Sequence, residues 1–175
     1  LAIFPGHKQA IYERSFSRLS TRDYKGALQD AKSLINKGEE DKNVAWIAGM
    51  ASLNLQLHKE AIGHLDYCIR KDSSDPRVFR ARSIAKDSLG DYKGALRDLD
   101  RAISLDSTWS DYYLERGVLN LTRLKNTRQA LVDYEKAIAV ELSNPRAYYL
   151  RGIYYGKQLN DSEKACADLK RAADL

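Results

Sequence analysis

Apolar residues recur along the chain with the spacing of α-helices, in segments separated by short polar stretches. The segments 44–57 and 147–159 carry apolar or aromatic side chains at helical intervals. The segment 95–105, ALRDLDRAISL, is amphipathic. Between such segments lie polar turns, for example LGDYKGA at 89–95. The pattern predicts pairs of helices joined by short turns.

A fixed period runs through the whole chain. The hexapeptide DYKGAL stands at 23–28 and again at 91–96, which is two periods of 34 residues apart. Alanines recur at intervals of 34, 34, 35 and 35, and small residues at 34, 34, 34 and 35. The alanine column is Ala27, Ala61, Ala95, Ala130 and Ala165, and the small-residue column is Ser15, Gly49, Ser83, Gly117 and Gly152. Two columns that keep one period over five copies define a tandem repeat.

The columns and the caps have a physical reason. Two antiparallel helices joined by a short turn approach closely only where their side chains are small, so the two columns are expected to form that contact. Asp75-Pro76 and Asn144-Pro145 have the residues of a helix N-cap followed by proline at the first helical position. The extra residue in each of the last two copies is placed in a turn, where insertion is best tolerated.

These residues resemble the tetratricopeptide repeat family, in which a bulky residue, a small residue four positions later, an alanine and a large residue mark each copy. The resemblance implies an all-α, right-handed superhelix of about five helical hairpins, a solenoid, over residues 8–175, after a leader at 1–7. Its repeats are 8–41, 42–75, 76–109, 110–144 and 145–175. The pattern is clearest at Phe79/Ser83/Ala95/Leu99, Tyr113/Gly117/Ala130/Tyr134 and Tyr148/Gly152/Ala165/Leu169.

A second pair of columns predicts ion pairs within the hairpins. Arginine precedes the small residue in four copies, and aspartate stands three residues after the alanine in the same four copies. The second copy lacks both and has Ala48 and His64 instead. Such pairs across a hairpin would fix its geometry. The expected pairs are Arg14–Asp30, Arg82–Asp98, Arg116–Asp133 and Arg151–Asp168.

Charge, cysteines and histidines give no indication of a catalytic or metal-binding site. The net charge of +5 comes from positive residues interleaved with acidic ones, as on a solvated helix surface. The two cysteines are interpreted as small buried thiols, and their use assigns no compartment. Histidines do not group with Cys, Asp or Glu at metal-ligand spacing, and no catalytic motif is present. We expect a non-enzymatic protein without a cofactor, a metal or catalytic residues.

The resemblance implies a concave groove lined by the first helices, which binds an extended or helical peptide. The groove would be aromatic at its amino end and charged further along, with Asp111 and Glu115 in the fourth copy. A carboxylate clamp is not expected, since Tyr12, Phe16, Ile47 and Ala81 stand where basic or amide residues are needed. The candidate groove residues are Tyr12, Phe16, Leu19, Trp46, Met50, Leu53, Arg77, Arg80, Arg146 and Tyr149.

The predicted function is therefore a protein-interaction scaffold with a protein or peptide partner. Two alternatives stay open: an accessory domain of a larger enzyme or regulatory protein, and a basic solenoid that binds RNA. Arrays of this type usually end in a polar helix. The C-terminal end is expected to be covered by further residues or by another chain, so self-association there is a further expectation.

Overall fold

The computed structural model describes residues 8–175, and within this range it has ten α-helices and no strand. The predicted leader, residues 1–7, lies outside the described residues, as does His7. The helices are α1 (Lys8–Ser20), α2 (Tyr24–Asn36), α3 (Lys42–Asn54), α4 (His58–Lys71), α5 (Pro76–Ser88), α6 (Tyr92–Leu105), α7 (Ser110–Thr122), α8 (Thr127–Val140), α9 (Pro145–Gln158) and α10 (Ser162–Asp174).

The ten helices belong to two compact units, α1–α5 and α6–α10. In the first unit α1 pairs with α2 and α3 pairs with α4, while α5 packs on α3 and α4. In the second unit α6 packs on α7, α7 pairs with α8, and α9 packs on α8 and pairs with α10. The third predicted hairpin, 76–109, thus has its first helix in one unit and its second helix in the other.

Side-chain caps define where several helices begin. The carboxylate of Asp75 accepts a hydrogen bond from the backbone N–H of Arg77, and the amide oxygen of Asn144 accepts one from Arg146. In both helices proline occupies the first turn, so both predicted cap–proline starts are confirmed. Such a cap is worth about 1 kcal/mol.

Every turn within a repeat contains one residue with a left-handed backbone, five positions before the alanine column. The φ angles are 66° at Arg22, 60° at Gln56, 84° at Gly90, 57° at Lys125 and 52° at Asn160. Arginine, glutamine and lysine rarely adopt this conformation, which costs a non-glycine residue about 1–2 kcal/mol. The helix on either side of the turn therefore imposes the conformation, since the side chain does not favour it.

The extra residue of the last two copies widens this same turn. In the first three copies a backbone N–H closes the turn on a carbonyl five residues earlier, as from Asp91 to Lys86 at 2.9 Å. In the last two it reaches back six residues, from Asn126 to Asn120 at 2.8 Å and from Asp161 to Tyr155 at 3.0 Å. The predicted placement of the insertion in a turn is confirmed.

The small and alanine columns lie at the contact between paired helices. A Cβ added at Gly117 would lie 2.6 Å from the ring of Tyr134 on the facing helix, and one at Gly152 would lie 3.2 Å from the carbonyl oxygen of Ala165. All five column alanines are buried. Larger side chains at these positions would force the helices apart, because the interior is close-packed.

The two cysteines differ in exposure. Cys68 on α4 is completely buried in the core that α4 shares with α3 and α5, and burial raises the pKa of its thiol to about 11. Cys166 is exposed on α10, so the prediction that both thiols are buried is wrong for this residue. Sequence pattern failed here because Cys166 follows the buried Ala165 directly, and one residue turns a helix by about 100°, which takes its side chain off the buried face.

We expect Gly117→Ala to lower the free energy of unfolding by about 1–3 kcal/mol, because the added Cβ would lie 2.6 Å from the buried ring of Tyr134 and one of the two must shift. The matched control is Gly63→Ala in α4, where an added Cβ meets nothing within 4 Å. There the better helix propensity of alanine should raise stability by up to ~1 kcal/mol. Urea unfolding of both variants checks the pair. Equal effects at the two sites would contradict the close contact.

The thiols should react at very different rates. At pH 8 Ellman's reagent is expected to modify Cys166 within minutes and Cys68 hardly at all, because Cys68 is inaccessible and its thiolate is disfavoured. In 6 M guanidinium both should react. The variant Cys166→Ser provides the control, since it should abolish the fast phase and leave the slow one. A fast phase that survives this substitution would show that Cys68 is accessible.

Candidate interaction surface

Arginine and aspartate meet across the first and last hairpins with two parallel hydrogen bonds. Arg14 on α1 donates from Nε to Asp30 Oδ2 at 2.8 Å and from Nη2 to Oδ1 at 2.7 Å. Arg151 on α9 donates to Asp168 in the same way, both bonds being 2.8 Å. The hydrogen bond to Asp30 raises the pKa of Arg14, and the bond to Asp168 raises that of Arg151. Bidentate geometry of this kind fixes two helices in orientation as well as in distance.

The fourth hairpin has the most buried of these contacts. Asp133 has no exposed surface and accepts from Arg116 Nη2 at 2.7 Å, from Asn120 at 3.2 Å and from Gln129 at 3.1 Å. Burial lowers the pKa of Arg116, but its hydrogen bonds to Asp133 and Asp100 outweigh this effect and raise it. The carboxylate is thus fully surrounded by donors, which a buried charge requires. The pair Arg82–Asp98 spans the two units and stays a prediction.

A second acidic residue reaches the arginine from the preceding repeat, which sequence inspection missed. Arg82 Nη1 donates to Asp66 at 2.6 Å, and Arg116 Nη1 donates to Asp100 at 2.7 Å. Glu135 holds the corresponding position before Arg151, and its negative charge helps to raise the pKa of that arginine. The acids stand five residues after the alanine column and 16 before the arginine, so a third column was available as a signal.

The boundary between the first and second repeats reverses these charges. Lys32 occupies the position of the acids, and Ala48 occupies that of the arginine. Lys32 instead contacts Glu60 at 2.8 Å, and His64 lies 3.6 Å from the same carboxylate oxygen. Burial raises the pKa of Glu60, but Lys32 and His64 outweigh it, so the pKa is lowered. At this one boundary the lysine of the column is thus matched by the neutral Ala48 on the next first helix.

The bulky column supplies an aromatic ring beneath the arginine in the last three copies. Each guanidinium carbon lies 5.6–5.8 Å from the ring centre of the residue three positions earlier. These pairs are Arg82 over Phe79, Arg116 over Tyr113 and Arg151 over Tyr148. A cation–π contact of this kind stabilises the fold by about 0.5–2 kcal/mol and helps to orient the guanidinium group toward the carboxylates.

The predicted groove residues of the first unit lie on α1, α3 and α5, which are neighbours. Phe16 is 56% exposed, whereas Tyr12 and Leu19 are half-buried against the core of α1–α3. Trp46, Met50 and Leu53 are half-buried against the core of α3–α5. We call these six residues with Arg77 and Arg80 the first-helix face.

Arg77 is held in place on this face. Its guanidinium lies 5.9 Å from the centre of the Trp46 ring and donates two hydrogen bonds to Asp75, at 3.0 and 2.8 Å. The hydrogen bond to Arg77 lowers the pKa of Asp75. Arg80 on the same helix is half-buried. The face therefore combines a largely exposed phenylalanine with an indole and an oriented cation.

The predicted groove residues of the second unit are arranged differently. Arg146 on α9 contacts Asp111 on α7 at 3.1 Å, so two residues expected to contact a partner contact each other. Tyr149 is 52% exposed and lies with Arg146 beside α10. In this unit the predicted residues thus combine an internal ion pair with one exposed ring.

Two kinds of site are not found among residues 8–175. No group of three or more His, Cys, Asp and Glu side chains could hold a metal ion. No helix in this range is long and apolar enough to cross a bilayer.

Comparisons with known proteins identify the repeat. Residues 145–175 match the family model described as "Tetratricopeptide repeat". A stretch of 64 residues is 33% identical to the Hsp70-Hsp90 organizing protein of Triticum aestivum. That stretch is 37% of this chain and 11% of the relative, so the match spans about a tenth of the relative's length.

Solved structures share the fold along nearly the whole chain. MamA from residue 41 to its end, from Desulfovibrio magneticus RS-1, has a TM-score of 0.84 with 16% identity, over 97% of this chain and 96% of that one. A second MamA crystal structure has a TM-score of 0.82 with 20% identity, over 95% and 90%.

Residues 145–175 thus match a tetratricopeptide repeat, and the predicted all-α repeat fold of the described residues is confirmed. Proteins of this class are typically non-enzymatic and serve as scaffolds for interactions between proteins.

The buried ion pair should show strong energetic coupling. We expect Arg116→Ala to destabilise the chain by about 3–5 kcal/mol, because it leaves the Asp133 carboxylate buried without its cation. The double variant with Asp133→Ala should lose clearly less than the sum of the single changes. A double-mutant cycle by urea unfolding measures the coupling.

The exposed pair Arg146–Asp111 provides the matched control, and its coupling should stay below about 1 kcal/mol. If the two cycles gave similar values, the buried pair would have no special role in the hairpin.

Proposed function

We propose that the first unit binds a peptide or a partner helix on its first-helix face. The observation that carries this proposal is the exposure of Phe16, 56%, on a helix that packs directly beside α3 with its half-buried Trp46 and Met50. Tryptophan and arginine are enriched among the residues that dominate binding energy at protein interfaces. A row of such side chains on adjacent helices suits an apolar segment of a partner.

Recognition would use two kinds of contact. Apolar side chains of the partner would lie against Phe16 and Trp46 and remove their exposed surface from water, worth about 25 cal/mol per Å². Arg77, already oriented over Trp46 by Asp75, would face polar or acidic groups of the same partner. Little rotamer freedom is lost on binding when a side chain is held beforehand, and this favours affinity.

The relative's name supports a protein partner without specifying it. The Hsp70-Hsp90 organizing protein is named for its association with two chaperones, and this chain matches a short stretch of it. The expected absence of a carboxylate clamp favours an apolar or helical partner segment over a terminal carboxylate. Since the matched stretch belongs to a much longer relative, a role as an accessory domain of a larger protein stays an alternative.

Selection from a random peptide library with the wild-type chain, followed by calorimetry, tests the proposal. We expect Phe16→Ala and Trp46→Ala each to weaken binding of a selected peptide about tenfold or more, as for residues at the centre of an interface. The matched control is Leu142→Ala, which shortens an apolar side chain that is still more exposed than Phe16, in the turn before α9. Circular dichroism verifies that each variant folds.

Equal affinity of all four proteins would contradict binding on the first-helix face. The RNA alternative is tested in parallel with a labelled single strand. Affinity for RNA that falls steeply as salt rises, with no selected peptide, would favour that alternative.

A further inference from the structure

A shallow depression along α2 carries positive charge, and its described lining residues include no acid. It has a volume of about 590 Å³ and is lined by three lysines, two amides, a serine and two leucines. The lysines are Lys25 and Lys32 on α2 and Lys37 at its C-cap, and the leucines are Leu28 on α2 and Leu55 at the C-cap of α3. We call these five residues the α2 surface. None of them belongs to the first-helix face.

The acid that α2 contains does not compensate these lysines. Asp30 is the single acidic residue of the helix, and it is buried and accepts hydrogen bonds of 2.7–2.9 Å from two arginines of α1. The exposed residues of α2 are two lysines and two amides, namely Lys25, Gln29, Lys32 and Asn36. The outer side of this helix is therefore basic along its whole length, about 20 Å.

Lys32 distinguishes α2 from the second helices that follow it. The same repeat position holds Asp66, Asp100 and Glu135 in the next three repeats, which places an acid beside the basic residues of those helices. The fifth repeat also has lysine there, but its helix α10 carries the exposed Glu163. The charge reversal between the first two repeats thus also leaves α2 with an outer side of one sign.

Two of the three lysines have no partner of opposite charge in the described part of the chain. Within residues 8–175 no carboxylate oxygen lies within 4.0 Å of the side-chain nitrogen of Lys25 or Lys37. Lys32 contacts Glu60 at 2.8 Å, and its side chain is still 48% exposed. The α2 surface therefore attracts negative charge from outside the chain.

The spacing of these residues limits what fits. Lys25 and Lys32 are seven positions apart on one side of the helix, so their Cα atoms are about 10 Å apart. Leu28 lies between them, and the half-buried Leu55 packs against the same core. A partner helix with acids at i and i+7 has the same spacing. Leucines at its positions i+3 and i+4 would lie over Leu28 and Leu55 in either direction of the helix.

The side chains favour a protein segment over nucleic acid. Proteins that bind single-stranded nucleic acid combine basic residues with aromatic side chains on which the bases stack. Arginine is preferred for bidentate contacts to phosphate. The described lining of the depression has neither an aromatic side chain nor an arginine, and it offers two leucines instead. An amphipathic helix with carboxylates and leucines complements both features.

We propose that the α2 surface binds an acidic amphipathic helix of a partner protein, with carboxylates at i and i+7 and leucines between them. The carboxylates pair with Lys25 and Lys32, and Lys37 adds to the attraction at the end of α2. Such a site selects partners by charge, which governs specificity and the rate of association more than raw affinity. It shares no residue with the first-helix face, so it does not depend on the function proposed above.

Three synthetic helical peptides test the proposal by fluorescence anisotropy with the full 175-residue chain. All carry leucine at i+3 and i+4, and they differ by Glu, Gln or Lys at both i and i+7. We expect the Glu peptide to bind about tenfold or more tightly than the Gln peptide, and its affinity to fall as salt rises. The Lys peptide should not bind.

Variants of the chain locate the contact. Lys25→Glu should weaken the Glu peptide about fivefold or more. A peptide in which one Glu, at i or at i+7, is changed to Lys should regain this affinity, and the position that succeeds gives the direction of the bound helix. The matched control is Lys136→Glu, the same charge change on an exposed lysine of the second helix α8, and it should leave the affinity unchanged. Circular dichroism verifies that each variant folds.

Equal affinities for the Glu and Gln peptides, or no binding of any peptide, would overturn the proposal. The same holds if Lys136→Glu weakened binding as much as Lys25→Glu, since binding would then follow net charge alone. Labelled single-stranded RNA that bound more tightly than the Glu peptide, and was lost in Lys25→Glu, would assign the α2 surface to nucleic acid instead. Trp46→Ala should not change the affinity for the Glu peptide, and a loss there would place this peptide on the first-helix face.

Discussion

The fold depends on the close approach of two helices within each hairpin, and the electrostatics depend on the same contact. At Gly117 the facing helix is so near that an added Cβ would lie 3.2 Å from the Cβ of Asp133. The residue directly before this glycine is Arg116, whose guanidinium donates to the same aspartate. Because the two helices lie so close, the short side chain of Asp133 reaches Arg116, and each of the two charges has a partner of opposite sign.

Charges are also matched between neighbouring repeats. Arginine on a covering helix goes with an acid on the covered helix, as in Arg82–Asp66 and Arg116–Asp100. Where the covered helix has Lys32, the covering helix has no arginine, and the compensating carboxylate comes from Glu60. Like charges brought together in a partly buried contact would destabilise a wrong neighbour, so the sign in this column distinguishes compatible from incompatible neighbours.

The sequence by itself determined the period, the helical hairpins, the caps at Asp75 and Asn144 and the contact between small columns. Each of these follows from local chemistry or from a spacing that repeats. The sequence also predicted that Arg14 and Asp30 face each other. The arginine and aspartate columns keep the same period over four copies, so the two residues lie on the facing sides of the paired helices.

The tertiary structure decided the backbone conformation of the turns and the contacts between helices that are distant in sequence. Arg22, Gln56 and Lys125 take left-handed backbones that their side chains do not favour, since the turn is fixed by the helices on either side. Arg146 contacts Asp111 because two helices distant in sequence lie side by side. Which side chains form ion pairs, and which are covered by a neighbouring helix, depends on tertiary packing. The sequence pattern predicts these contacts only where both residues lie in columns of the repeat.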